Sequence, residues 1–204
     1  MSTAILSTTY FGPIQWYQKL AAYDCVLIDR HEPFVKQTYR NRCIIATTNG
    51  TQALTVPIVH GSSSEDILIS DHGNWRHLHW NALVSAYGES PFFEYYADDV
   101  RPFFEGRWTS LYDFNMSITR KMCELLDIAP NIIETREQLP VFDGKAELVD
   151  DFRQVIRPKH SMPDPSFTPR TYYQVFHQKH GFLPNLSIMD LLFNMGNESI
   201  LWLI

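Results

Sequence analysis

A basic run, Tyr39-Arg40-Asn41-Arg42, leads straight into the apolar stretch Cys43-Ile44-Ile45-Ala46. A guanidinium presents a planar fork of donors that matches a carboxylate or a phosphate. In an extended backbone alternate side chains share a face, so Lys36, Thr38, Arg40 and Arg42 are expected to form one row at the entrance to a sheet. The chemistry of such a row is the binding of an anionic substrate group, with Asn41 and Asp29 beside it. Arg42 borders a run that is apolar on both faces, where a charge must be paired or must line a cavity. An internal ion pair with Asp24 or Asp29 is the alternative for Arg42, and plain solvation is the alternative for Arg40.

A second candidate lies in "DHGNWRHLHWNALVSAY", residues 71–87. His79 is four residues from both Trp75 and Leu83, so in a helix it falls on an apolar stripe while Arg76 and His77 point elsewhere. A histidine where a core meets a cleft suits general acid–base work, and His79 is the expected catalytic residue. A satisfied core histidine is the plainer alternative. His77 and His79 are about 200° apart on a helix, so no metal site is assigned. The third candidate is "TTYFGPIQWYQ", residues 8–18. A βα turn at the carboxyl end of a sheet is where open α/β folds place ligands, and Tyr10 and Gln15 would meet an anionic or sugar ligand there. The chain contains no GxGxxG, GxxxxGKS or GxSxG, hence no standard nucleotide loop or serine-hydrolase elbow, and no cofactor is indicated.

The elements that would position these residues are legible in outline. With 204 residues, 45% of them hydrophobic, the chain suffices for one sizeable core. A single domain over residues 1–204 is expected, its helical C-terminal half from about residue 74 packed on an N-terminal sheet. Residues 4–9 and 25–28 read as strands around a helix at 14–23 that starts beside Pro13, which is a βαβ unit with a parallel pair. Asn49-Gly50 is a hairpin signal joining 42–47 to 52–59, expected as a type I′ turn with both residues at positive φ. The fold class is therefore α/β, a mixed sheet with an initial βαβ unit and an antiparallel hairpin, flanked by helices.

A further strand is expected at 67–69. A helix capped by Asn74 follows, with Trp75, Leu78, Ala82, Leu83 and Ala86 as its apolar stripe. Helices at 91–104 and 110–126 and a short strand at 132–133 come next. Residues 157–170 carry four prolines and read as a loop or lid. The tail helix is capped by Ser187, with Asp190 three residues on and Gly196 past its end.

A net charge of −6 argues against general binding to nucleic acid or to a membrane surface. Cys25, Cys43 and Cys123 are odd in number and scattered, as expected for reduced thiols. With no leader-like opening and no apolar run long enough to span a bilayer, a cytoplasmic location is expected. The aromatic segment 92–104 reads as core, with a contact surface for a protein partner as its second use.

Five blocks, "YFGPIQWYQKL", "KQTYRNRC", "LTVPI", "DHGNWRHLHWNALVSAYGESPFFEYYADD" and "YYQVFHQKHGFLPNLSIMDLLFNMG", run in order nearly end to end. With them the chain resembles the WbqC-like family. It departs from many members in carrying Thr8-Thr9 where they have Gln-Pro, and Asp29-Arg30 where they have paired acids. The resemblance implies a role in O-antigen or related surface-glycan synthesis, as a transferase moving an acyl or aminoacyl (glycine) group to an amino sugar or similar small amine. The arginines would then orient an anionic donor or a sugar-nucleotide substrate. The alternative is a non-catalytic binding or scaffold protein of a glycan-biosynthesis complex.

Overall fold

The computed structural model describes residues 2–59, 67–135, 137, 139–140, 149–159 and 161–204. Strand β1 (Thr3–Leu6), helix α1 (Ile14–Ala22) and strand β2 (Cys25–Ile28) form the opening βαβ unit. The two strands pair in parallel from Thr3↔Cys25 to Leu6↔Ile28. α1 starts directly after Pro13, whose φ of −70° suits the entry to a helix, and it buries Trp16, Tyr17 and Leu20.

Strands β3 (Arg42–Thr47) and β4 (Gly50–Thr55) form the antiparallel hairpin, which stands as its own two-stranded sheet. Its turn lies one residue earlier than the Asn-Gly signal suggested. Thr47 and Gly50 are the closing pair, so Thr48 and Asn49 are the loop. Of the two signal residues only Gly50 has a positive φ, 106°. A glycine in that conformation after a two-residue turn lets the chain rejoin the ladder with the strand twist, which type I′ geometry achieves by another route. Residues 67–69 form isolated bridges, Ile58↔Ile69 and Leu68↔Ser110, in place of the expected strand.

A 3-10 turn leads into helix α2 (Trp75–Tyr87). Asn74 does not cap it through its side chain. It sits in the left-handed region at φ 48°, which asparagine tolerates, and joins the two helical pieces. The buried face is Trp75, His79, Leu83, Ala86 and Tyr87, whereas Leu78 is 59% exposed. The apolar stripe is thus rotated from the one expected, and the i, i+4, i+8 positions face inward. Helices α3 (Phe93–Val100) and α4 (Pro102–Glu105) divide the aromatic segment, the break coming at Pro102, which cannot continue a helix. Phe93, Tyr96, Phe103 and Phe104 are buried, and Tyr95 is the ring turned to solvent, 75% exposed.

Helix α5 (Leu111–Leu125) is capped by Ser110, whose hydroxyl accepts from Asp113 N at 3.2 Å. Strands β5 (Ile132–Glu134) and β6 (Val149–Asp151) complete the main sheet in the order β5-β2-β1-β6, all parallel. After helix α6 (His177–His180), helix α7 (Ile188–Met195) is capped by the Ser187 hydroxyl. Ile188, Met189, Leu191, Leu192 and Phe193 are fully buried, so α7 is apolar nearly all round, as an interior helix must be. It packs against α1, α3 and β3 and thereby joins the hairpin to the body that carries the parallel sheet.

Candidate functional site

The parallel strands end at one edge, at Leu6, Ile28, Glu134 and Asp151. From β1 the chain passes to β2 on one side, while β6 lies on the other. That is a topological switch point, and open α/β sheets bind ligands outside the carboxyl ends at such points. A recess occupies the position. Its walls are residues 6–9 after β1, residues 38–40 before β3, and Phe152, Arg153, Ile156 and Arg157 after β6.

The turn that shapes it is tightly constrained. Phe11 has φ 42°, a conformation that costs a bulky residue about 1–2 kcal/mol and persists only where packing enforces it. Its ring lies parallel to Phe104 at 5.9 Å. At Gly12 an added Cβ would come within 2.4 Å of Thr9 Oγ1, so only glycine allows the exit of β1 to double back against the start of α1.

Three arginines line the recess, and their hydrogen bonds separate their roles. Arg153 spends its guanidinium on protein. Nε and Nη2 donate to the Asp151 carboxylate, Nη1 to Asp29 Oδ2 at 2.6 Å, and the remaining donors reach the carbonyls of Leu139 and Pro140. It clamps the end of β6 to the end of β2 across β1. Arg157 is half-buried at the rim, with Nε directed to the Arg153 carbonyl at 3.3 Å.

Arg40 differs. It is only 4% exposed, yet Nη1 meets two neutral carbonyls, of Glu32 and Pro33, at 2.9 and 3.0 Å. Its Nε has no protein partner. Burial lowers its pKa, against the pull of Glu32 and Asp29. Glu32 is 8% exposed, and its Oε2 also lacks a partner. Burial raises this carboxyl above the usual range, partly offset by a hydrogen bond with Ser7 and by the Arg40 charge.

Asn115 of α5 donates to Thr8 Oγ1 at 3.2 Å and to the Arg40 carbonyl at 2.8 Å, leaving its own Oδ1 without a partner, as is Thr9 Oγ1. Buried polar atoms are nearly always paired, and each one left alone costs about 1–3 kcal/mol. Here a donor (Arg40) that lines the recess and two acceptors (Glu32, Asn115) that lie against its lining residues without lining it themselves are found near the switch point. They are the complement of a ligand that carries an anion and an N–H or O–H group. The recess has a volume of about 10 Å³, about the room of one water molecule.

Of the residues singled out in the sequence, Arg40 and Asp29 come to this recess, Asp29 through its bond to Arg153. The expected single row of cations does not form. Residues 36–41 turn, with Gln37 at φ 63°, so the alternation of an extended strand does not apply. Lys36, Asn41 and Arg42 line a separate open cleft of about 380 Å³. Arg42 Nε donates to Thr55 Oγ1 at 3.1 Å, and Asn41 Nδ2 to the Val56 carbonyl at 2.8 Å. Neither acid proposed as an internal partner pairs with Arg42, since Asp29 holds Arg153 and Asp24 accepts from Ser2.

Gln15 donates to Asp164 Oδ2 at 2.9 Å and accepts from Asn185, and Asp164 is paired with the buried Lys19 at 2.7 Å. These bonds latch the proline-rich segment onto α1. Among the described residues no group of three His, Cys, Asp or Glu side chains is placed to hold a metal. The three cysteines are free, and burial pushes the Cys43 and Cys123 thiols up, away from the reactive thiolate. Glu32, Asn115, Arg153 and Arg157 escaped the sequence reading. Only Glu32 left a signal, an acid in the loop just past a strand's carboxyl end.

His79 does face inward, as its helical phase required. Tyr10 is fully buried and its hydroxyl lies 2.9 Å from His79 Nδ1, while His79 also bonds the Thr55 backbone. Its ring packs against Tyr10 and Trp75, and it lines neither the recess nor the cleft. Burial lowers its pKa from 6.5 to about 4. The opposite case is Asp190 on α7, whose pKa burial raises from 3.8 to about 6 despite hydrogen bonds from Tyr87, Tyr172 and Gln174.

These shifts make stability depend on pH with opposite signs. Between pH 6.5 and 4 unfolded His79 takes up a proton that the folded ring refuses, so stability is lost as pH falls. Between pH 6 and 3.8 folded Asp190 holds a proton that the unfolded chain releases, so stability is gained as pH falls. Each window is worth about 3 kcal/mol. His79→Gln should therefore be less stable than wild type at pH 7 through lost core packing, and denaturant titrations should show the gap narrowing by about 3 kcal/mol towards pH 4. Asp190→Asn should lose ground to wild type over the same range. A constant gap in both variants would contradict these environments.

The fold and the recess describe an α/β protein with a polar recess at the switch point of a short parallel sheet. More specifically, the chain belongs to the WbqC-like protein family, whose model matches residues 8–166 and so takes in the recess except Leu6 and Ser7. The uncharacterized protein Rv1507c of Mycobacterium tuberculosis is 27% identical over 219 residues, covering 96% of this chain and 94% of that protein. No solved structure matches the chain. Among the described residues no helix is long and apolar enough to cross a membrane.

Proposed function

We propose that the protein is a cytoplasmic transferase of surface-polysaccharide biosynthesis that moves an acyl or aminoacyl group, such as glycyl, onto the amine of an amino sugar. The observation that supports it is the buried pair at the switch point, Arg40 with an unpartnered Nε and Glu32 with an unpartnered Oε2. Arg40 holds an anionic group of the substrate, for which a guanidinium is the suitable donor. Glu32 receives the substrate ammonium. Its pKa, raised by burial, suits it to take one proton of that ammonium, which frees the nitrogen lone pair to bond to the acyl carbon, and the second proton of the nitrogen leaves with the leaving group. The bond from that carbon to the leaving group breaks, and the electron pair departs with the leaving group. In this reading Glu32 is the base, and His79 supports the wall of aromatic side chains behind the turn.

Calorimetric titration with three probes tests the pairing. Glucosamine 1-phosphate, which carries both an ammonium and a phosphate, is expected to bind. N-acetylglucosamine 1-phosphate lacks the charge that Glu32 reads, and glucosamine lacks the anion that Arg40 reads, so each should bind at least tenfold more weakly. Equal affinity for all three, or binding of none by the folded protein, would overturn the proposal.

A further inference from the structure

Two residues on from Arg40, Arg42 faces away from the recess, and the cleft it lines with Lys36 has properties of its own. Among the described residues no acidic side chain lines it, although the chain as a whole carries a net charge of −6. Arg42 uses Nε on Thr55 and, among the described residues, makes no ion pair, which leaves both terminal nitrogens of its fork for an anion. Lys36 is exposed and likewise unpaired there. The apolar part of the lining comes from Phe34, Val56, Pro57 and Ile58. At about 380 Å³ the space is of the size that takes a small-molecule ligand, in contrast to the recess.

The two places share a wall. The Phe34 ring lines the cleft, and the Arg40 guanidinium stands over that ring at 5.7 Å from its centre. The chain turns and bends through residues 36–41, and Arg40 lines the recess whereas Lys36 and Arg42 line the cleft.

We propose that this cleft is a second substrate subsite, which binds the phosphates of a carrier group through Arg42 and Lys36 and its organic part against Phe34 and Ile58. The shared chemistry is a diphosphate bearing a partly apolar group, as in a nucleoside diphosphate or a phosphopantetheine carrier. With the proposed reading of the recess, the subsite sets carrier and amine on the two sides of one aromatic ring, the arrangement that a two-substrate transfer needs. The subsite itself rests on the cleft alone and stands without that reading.

The test is equilibrium binding of inorganic pyrophosphate, uridine diphosphate and coenzyme A to the full chain and to two variants, with melting curves confirming that each is folded. Pyrophosphate and at least one of the two carriers should bind wild type. The carrier that binds more tightly than pyrophosphate identifies the source. Arg42→Gln should weaken that binding at least tenfold, Arg42→Lys should weaken it too because an ammonium lacks the fork, and Arg40→Gln should leave it within about twofold. No binding to wild type, undiminished binding in Arg42→Gln, or loss in Arg40→Gln alone would overturn the second subsite. The last outcome would leave the recess reading in place, whereas failure of glucosamine 1-phosphate to bind would leave the cleft untouched.

Discussion

Arg40→Met is expected to abolish ligand binding while leaving the protein nearly as stable as wild type. Removing one partner of a desolvated charge pair costs a complex roughly 2–5 kcal/mol, a loss of about 30- to 4,000-fold in affinity. For glucosamine 1-phosphate this would move binding beyond detection. Stability should respond little, because the folded protein gains little from this side chain. Arg40 donates to two neutral carbonyls, its Nε is unpartnered, and among the described residues it makes no ion pair. Replacing it by an apolar chain of similar length removes a desolvated charge, which offsets the loss of the two bonds. Calorimetric affinity and the melting temperature are the two readouts. A fall in melting temperature as large as that of a core mutation, with affinity retained in the folded fraction, would make Arg40 a structural residue. Glu32→Gln should behave similarly towards the melt and cut turnover by roughly 10²–10⁴ if Glu32 takes the amine proton.

The reverse pattern is expected of Arg153, a few residues along the same recess. Arg153→Met should destabilise the protein by roughly 3–5 kcal/mol, because it strands the buried carboxylates of Asp29 and Asp151 without a counter-charge. Five donors end on protein acceptors at the ends of β2 and β6 and in the 139–140 segment, so the loss also unties the carboxyl edge of the sheet. Denaturant midpoints at unchanged slope measure the effect. Adding Asp29→Asn to Arg153→Met should recover part of it, since one stranded charge is then gone. A change below about 1 kcal/mol would mean that water reaches the clamp and that the edge is not held as described.

Local chemistry was enough to read many of the elements from the sequence, though not β6, α6 or the break between α3 and α4. The Pro13 start of α1, the apolar run 25–28 ending at Asp29, the Ser187 cap and the inward phase of His79 each depend on neighbours within about one turn. So does the existence of the hairpin, although its turn slipped by one residue because Gly50 satisfies two turn geometries equally well. The membership of the site was not legible in the same way. Arg40 and Arg42 were placed on one face by assuming an extended chain, and the turn and bend at residues 39–41 broke the alternation between them.

Whether a buried arginine is spent or free depends on acceptors distant in sequence. Arg153 is saturated by Asp29, which is 124 positions away. Arg40 has its carbonyl held by Asn115, 75 positions away, and its side chain left open. Tyr10 and His79 looked like site residues because each is polar within an apolar pattern, but 69 positions apart they satisfy each other. Composition and spacing thus determined which segments form strands and helices. The pairing of buried polar groups, which decides which of them is free for a ligand, was set only when the tertiary structure chose their partners. The physical reason is that desolvation penalises every buried polar group alike, and the identity of the partner across the fold alone decides whether that penalty is met by the protein or awaits a substrate.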